Sequence, residues 1–173
     1  MSDLDDFRHE KDEFFKHHPQ SPLTREQKKA FTGLSYFPEN EALRLEAPVE
    51  EFDPKPEIEM QTSTGDVQRY RKYGRFKFTV DGQPAELTLY QGEHGFFLPF
   101  VDALAGKETY GAGRYLEPEP LGHDNLFAVD YNVAYNPYCA YNPNWSCPLT
   151  PFENRLKVPI RAGEKQFPGT EHE

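Results

Sequence analysis

The sequence predicts a mainly antiparallel β-domain, a sandwich or a barrel, preceded by two helices. Three observations carry that prediction. From Leu43 onward apolar residues recur at every second position in short runs, separated by Gly, Pro, Asn and Asp. Asp81-Gly82 stands between Phe76/Phe78/Val80 and Ala85/Leu87/Leu89, with both turn residues suited to positive φ, which is the pattern of a tight hairpin. Before Leu43 the spacing of apolar residues is helical instead.

Taken in order, Asp3 is placed to cap a first helix. Asp5 and Asp6 stand in its positive first turn, and Lys16, His17 and His18 at its negative end. Leu4, Phe7, Phe14 and Phe15 share one face, and Pro19 ends the helix. Thr24 with Gln27 forms a capping box for a short second helix through Phe31, stopped at Gly33. Residues 1–33 should brace a β-domain spanning 43–161, the whole being one domain. Its expected strands lie around Leu43–Val49, Glu57–Gln61, Val67–Tyr73, Phe76–Val80, Ala85–Leu89, Phe96–Phe100, Thr109–Leu116, Leu126–Asn132 and Leu156–Ile160. Pro159 puts the last at a sheet edge, because it has no N–H to give a ladder. Residues 117–122 form a turn-rich connector, and 167–173 should fray.

Charge narrows the partners. Lys plus Arg less Asp plus Glu is 19 − 29 = −10 over 173 residues, a field that repels nucleic acid and anionic membranes. Arg69, Arg71, Lys72, Arg75 and Lys77 do interleave with Tyr70, Tyr73, Phe76 and Phe78, but alternation of this kind is what one buried and one wet sheet face produces. No apolar run reaches the ~18 residues of a membrane span. The acidic N-terminus is unlike a secretory signal, so a cytoplasmic setting with reduced cysteines is expected. The hydrophobic fraction is 36% with 14% aromatic residues, so the core should be rich in rings.

The stretch from Asp130 to Leu156 draws most attention. It holds both cysteines, the only tryptophan, five asparagines and four prolines, and is too Pro-rich for helix or regular sheet. A near-repeat, Ala134-Tyr-Asn-Pro-Tyr and Ala140-Tyr-Asn-Pro-Asn, predicts two consecutive turns that gather Tyr135, Tyr138, Tyr141 and Trp145 into an irregular cap over residues 133–155. Two readings of that cap stand side by side: a plug whose asparagines serve their own turns, or an aromatic pocket wall. Nearby, Gly111 and Gly113 would leave a groove on one strand face, with Tyr110 and Arg114 on the other. An inward Arg114 requires a bound anion or an internal carboxylate, for which Asp130 and Glu153 are the candidates. Cys139 and Cys147 have seven residues between them, too many for a paired metal motif, so no metal site is expected and no cofactor fingerprint is present. As thiols they are inert packing or, with His94 or His123 as base, a nucleophile.

Gly106-Lys-Glu-Thr-Tyr-Gly-Ala-Gly-Arg-Tyr-Leu, Asp130-Tyr-Asn, Tyr135-Asn-Pro-Tyr-Cys-Ala-Tyr-Asn-Pro-Asn-Trp-Ser-Cys-Pro-Leu, Glu153-Asn-Arg-Leu and Ala162-Gly-Glu-Lys resemble an uncharacterised bacterial and archaeal family, domain of unknown function 1684. The similarity runs from Phe7-Arg-x-x-Lys-Asp to Gly163-Glu-Lys. The resemblance implies one domain and the same central stretch, and assigns no role to any residue.

The expectation is therefore a pocket for a small polar or anionic ligand between the Tyr110–Arg114 strand and the Asp130–Asn154 segment. Arg114 would meet an anionic group. Asn132, Asn136, Asn142 and Asn154 would offer amides, Tyr138 and Trp145 walls, and Asp130, Glu153, Cys139 and Cys147 further polar contacts. Two alternatives share the stretch: an enzyme using a thiol, or Asp130 with Glu153 as acid and base, and a structural or protein-interaction module.

Overall fold

The computed structural model describes residues 3–167. Helix α1 (Asp3–His17) carries its acids in the first turn and Lys16 and His17 in the last. It buries Leu4 and Phe15, whereas Phe7 is 42% exposed, so the buried stripe is narrower than the spacing predicts. Helix α2 (Arg25–Ala30) opens with the expected capping box: Gln27 N–H donates to Thr24 Oγ1 and Thr24 N–H to Gln27 Oε1. Lys16 Nζ then donates to the Lys28 and Phe31 carbonyls, fastening the two helices by their C-terminal ends.

Among the described residues nine antiparallel strands form two sheets, and these do not close into a barrel. The smaller has the order β1 (Arg44–Pro48), β9 (Leu126–Asp130), β8 (Glu119–Pro120). The larger runs β2 (Glu50–Glu51), β4 (Val67–Val80), β5 (Gln83–Gly92), β6 (Gly95–Phe100), β7 (Arg114–Leu116), with β3 (Glu57–Gln61) also paired to β4. The two strands expected over 67–80 are one, with a bulge between Lys72 and Gly74 that absorbs the irregularity. Asp81 and Gly82 make the hairpin turn with φ of 51° and 81°. Along its second half β4 buries Phe76, Phe78 and Val80 and exposes Arg75, Lys77 and Thr79. Three of the cations interleaved with rings along β4 meet carboxylates: Arg69 with Glu57 and Glu59, Lys72 with Glu153, Arg75 with Glu50 and Glu86.

The larger sheet is buried on both faces from β5 to β7. One face packs Phe76, Leu87, Leu89, Leu98, Phe100 and Leu116 against Ala47, Phe127 and Val129 of the smaller sheet, which gives the sandwich-like core. The other face packs Tyr90, Phe97 and Tyr115 against Phe15, Phe31 and the coil residues Cys139, Ala140, Tyr141 and Cys147. The irregular segment is thus the roof of a second core, together with the helices.

Three further expected elements differ. The strand at 109–116 is only Arg114–Leu116, because Tyr110–Gly113 is a turn in which Gly113 has φ 104°. The close approach expected at that glycine does occur, since a Cβ there would meet the Phe100 carbonyl at 2.6 Å. The strand at 126–132 stops at Asp130, whose Oδ1 accepts the Asn132 N–H at 3.0 Å and caps a 3-10 turn over Tyr131–Val133. Residues 156–160 are irregular: Ile160 N–H goes to Asp102 Oδ2 at 2.8 Å, and Pro159 has none to offer. Phe167 is not frayed but packs on Tyr141 and Phe31, while 168–173 lie outside the described residues.

Candidate functional site

Period two along β7 decides which side chain meets the coil. Arg114 faces the core between the sheets, and Tyr115 faces the helices. Arg114 is 1% exposed. Its guanidinium donates to the carbonyls of Ile160 (2.9 Å), Ala162 and Glu164 (3.0 Å) and lies 3.7 Å from Asp102 Oδ2. It also covers the Phe100 ring at 5.2 Å. Burial pushes its pKa down to about 10 against the pull of Asp102 and Glu164, which leaves it charged at neutral pH. The carboxylate that satisfies Arg114 is Asp102, not Asp130 or Glu153, and the chain after Ile160 takes its remaining donors.

The expected amides are similarly engaged. Asn132 exchanges two hydrogen bonds with the Asn40 backbone and donates to Asp130 Oδ1. Asn154 clamps Thr88 N–H and C=O and the Pro99 carbonyl, tying β5 to β6. Asn142 Oδ1 accepts Asn144 N–H at 3.1 Å, the local turn its Asn-Pro step predicts. Asn136 breaks that pattern. Its Nδ2 reaches Lys165 O (3.1 Å) and Tyr141 Oη (3.3 Å), and its buried Oδ1 takes no partner among the described residues. Asp130 pairs with Arg44, whereas Glu153 accepts from Tyr90 Oη and Lys72 Nζ. Each of these two carboxylates is thus engaged by partners of its own.

What the coil does enclose is an open cleft of about 630 Å³ against α1. Tyr135, Pro137, Tyr138 and Trp145 supply one wall, and Tyr115 and Cys147 stand at the sheet side. Phe7, Glu10 and Lys11 supply the helical wall. Tyr138 meets Trp145 edge-on at 5.1 Å, and Tyr135 meets Tyr115 edge-on at 5.8 Å, so the coil rings pack on neighbours as well as on each other. Backbone bonds hold the wall: Tyr135 exchanges both with Tyr115 (2.8 and 3.1 Å), Ser63 N–H donates to Cys147 O, and Leu149 N–H to Gln61 O. Asp66 accepts from Thr62, Thr64 and Ser146 and pins the Trp145 turn, and these hydroxyls hold its carboxyl below the usual carboxylate range.

The cation of the cleft is Lys11. Its ammonium pairs with Glu164, a side chain 2% exposed, and lies 5.1 Å from the Tyr135 ring centroid. Glu164 Oε1 also accepts from Tyr141 Oη (2.6 Å) and Asn136 N–H (3.1 Å). The charge is therefore balanced within the wall.

Cys139 and Cys147 are both thiols. Cys139 N–H donates to Cys147 Sγ at 3.4 Å, and Tyr110 Oη lies 4.0 Å from Cys139 Sγ. The thiols also share a hydrogen bond, which lowers Cys147 to about 7 against its burial and raises Cys139 well above the ordinary thiol range. His94 and His123 each stand exposed beside a carboxylate, Glu93 and Asp124. No group of three metal-ligating side chains occurs among the described residues.

The model of the family described as "Protein of unknown function (DUF1684)" matches residues 29–165. The chain belongs to this family. A solved relative, the solution NMR structure of an uncharacterised protein from gene locus rrnAC0354 of Haloarcula marismortui, is 36% identical. The match covers 94% of this chain and 91% of that one, with a TM-score of 0.71. No curated protein matches the chain. The DUF1684 match takes in the coil, β7 and Glu164 but begins after α1, so Phe7, Glu10 and Lys11 lie outside it.

Sequence reasoning missed Lys11, Glu164 and Asp102. Phe7 and Lys11 are four apart and so share a helical face, which is the signal that α1 has a second, half-exposed side. Asp102 follows the alternating Phe96–Phe100 run and Glu164 stands in the Ala162-Gly-Glu-Lys motif, but neither position shows in sequence which partner it meets. No helix among the described residues is long and apolar enough to cross a membrane.

Proposed function

We propose that the protein binds a small ring-bearing molecule with a polar, hydrogen-bonding end in the cleft between α1 and the coil. The observation that carries this reading is the cleft wall: five aromatic side chains and a proline converge on one open space of about 630 Å³ with few polar groups among them. Lys11, Glu10 and Ser146 give the ligand both donors and acceptors. A full anion is the poorer guest, because Glu164 already neutralises Lys11, Glu10 stands on the same wall, and the chain carries a net −10. A polar rather than an anionic ligand is thus favoured, and its cation-side contact is Lys11 in place of Arg114.

Trp145 is the sole tryptophan and lines the cleft at 39% exposure, so its fluorescence reports occupancy. Titration with phenol and indole is expected to shift its emission saturably, and benzoate less. Tyr138→Ala removes one ring of the cleft wall, and an aromatic pair with the guest is worth about 0.5–1.5 kcal/mol, so binding should weaken about 2- to 13-fold. An emission that never saturates, or one indifferent to Tyr138→Ala, would overturn the reading.

A further inference from the structure

We propose that Cys139 and Cys147 form a dithiol centre at the floor of the cleft that exchanges with small organic disulfides, Cys147 attacking and Cys139 resolving. The proposal uses the cleft's shape but needs no bound ring molecule, so failure of the phenol titration leaves it standing.

Position separates the two thiols. Both residues are 7% exposed, yet only Cys147 lines the cleft, while Cys139 lies behind it in the second core. They are close enough for the Cys139 N–H to reach Cys147 Sγ at 3.4 Å and for the two thiols to share a proton's hydrogen bond. A disulfide entering past Trp145 and Tyr138 therefore meets Cys147 first, with the second thiol already beside it.

Electrostatics assigns the same roles. Cys147 Sγ accepts from the Cys139 thiol and from the backbone N–H groups of Cys139 and Tyr138, which stabilises the thiolate and brings its pKa to about 7. Cys139 keeps its proton because the Cys147 sulfur accepts that proton and, once ionised, repels a second negative charge. That restraint lasts only while Cys147 is a thiolate. Once Cys147 is bonded to sulfur its charge is gone, and Tyr110 and Ser63, which both favour an ionised Cys139, act without opposition from it. The first step thus removes the part of the restraint that Cys147 supplies, while burial continues to raise Cys139. The other titratable groups facing the pair are Tyr115 from the sheet and Glu10 and Lys11 across the cleft. Burial raises Tyr115, which keeps its hydroxyl neutral.

The chemistry balances as two displacements. The Cys147 thiolate attacks one sulfur of R–S–S–R, the S–S bond breaks, and R–S⁻ leaves, giving Cys147–S–S–R. Cys139 loses its proton to the departed thiolate or to water and attacks Cys147 Sγ, expelling the second R–S⁻. The protein dithiol is oxidised by two electrons to a disulfide, and the organic disulfide is reduced to two thiols that carry away the two protons.

The test uses the native full chain with dithiodipyridine, a neutral aromatic disulfide whose released pyridinethione is read by absorbance, followed by intact-mass spectrometry. Wild type should release two pyridinethiones per chain and end two hydrogens lighter, without an adduct. Cys139→Ser should release one and keep a pyridyl adduct on Cys147. Cys147→Ser should react at least about 10-fold more slowly, since the remaining thiol is buried and lies behind the cleft rather than on its wall. The first release should level off above about pH 7. A rate that keeps climbing through the ordinary thiol range near about pH 8.5, a first adduct on Cys139, or two adducts on one wild-type chain would overturn the proposal. Circular dichroism checks both serine variants. Should Cys147→Ser not fold, the wild-type mass and the Cys139→Ser adduct decide by themselves.

Discussion

Removing the Arg114 guanidinium would strand Asp102 in the core with only Thr109 Oγ1 and Ile160 N–H as donors, and would leave the carbonyls of Ile160, Ala162 and Glu164 without theirs. Breaking a buried charge pair by deleting one partner costs about 3–5 kcal/mol, because the survivor stays desolvated. Arg114→Met, which keeps the aliphatic length, should therefore lose a large share of the folding free energy, seen as a much lower midpoint in urea unfolding. A variant with the wild-type midpoint would mean that the guanidinium is not holding the chain after Ile160. This residue also shows what a sequence conceals. An inward arginine on a strand is legible, but backbone carbonyls have no letter, and those of 160–164 are its main partners. The choice between a bound anion and an internal partner rests on where that segment lies.

At the scale of elements, local signals were readable and long-range ones were not. The Asp81-Gly82 hairpin, the Thr24–Gln27 capping box and the alternation of β4 follow from neighbours in sequence, and each forms as its residues dictate. Aromatic alternation near β7 overpredicted that strand, because the turn before it is fixed by contact with the end of β6 rather than by its own residues. The coil was legible as irregular and aromatic, yet which of its rings face a cleft depends on α1, far away in the chain. The two turn glycines make a clean comparison. Gly82 has φ 81° with nothing within 4 Å of where a Cβ would stand, whereas a Cβ on Gly113 (φ 104°) would meet the Phe100 carbonyl at 2.6 Å and Val101 Cγ2 at 2.9 Å. Gly82→Ala should cost about 1–2 kcal/mol, the left-handed penalty alone. Gly113→Ala adds a clash with backbone that cannot move without β6, so its midpoint in urea should fall further. Equal losses would mean that β7 is not seated against the end of β6.

The molecule as a whole has two cores on opposite faces of one sheet, and they are held by different means. The first, between the sheets, is made of alternating strand residues and needs little else. The second gathers two helices, a sheet face and an irregular coil that meets the sheet region at isolated bridges, Tyr115 with Tyr135 and Thr62 with Pro148, rather than along a ladder. Glu164 joins them: one carboxylate accepts from Lys11 of α1 and from Asn136 N–H and Tyr141 Oη of the coil. Glu164→Gln keeps the shape but removes the charge, leaves Lys11 without its counter-ion and weakens three hydrogen bonds, at about 1.5–3 kcal/mol for a buried bond to a charged group. The loss should be confined to one side of the sheet. Amide hydrogen exchange is expected to quicken together in α1 and in residues 131–147, as one cooperative opening, while β4, β5 and β6 keep their protection. The cleft lies between the two parts that would loosen, so the same variant should blunt the response of Trp145 to phenol while the sheet remains intact. Exchange that rises evenly across both cores would mean that the molecule opens only as a single unit, and that Glu164 is not what fastens helix to coil.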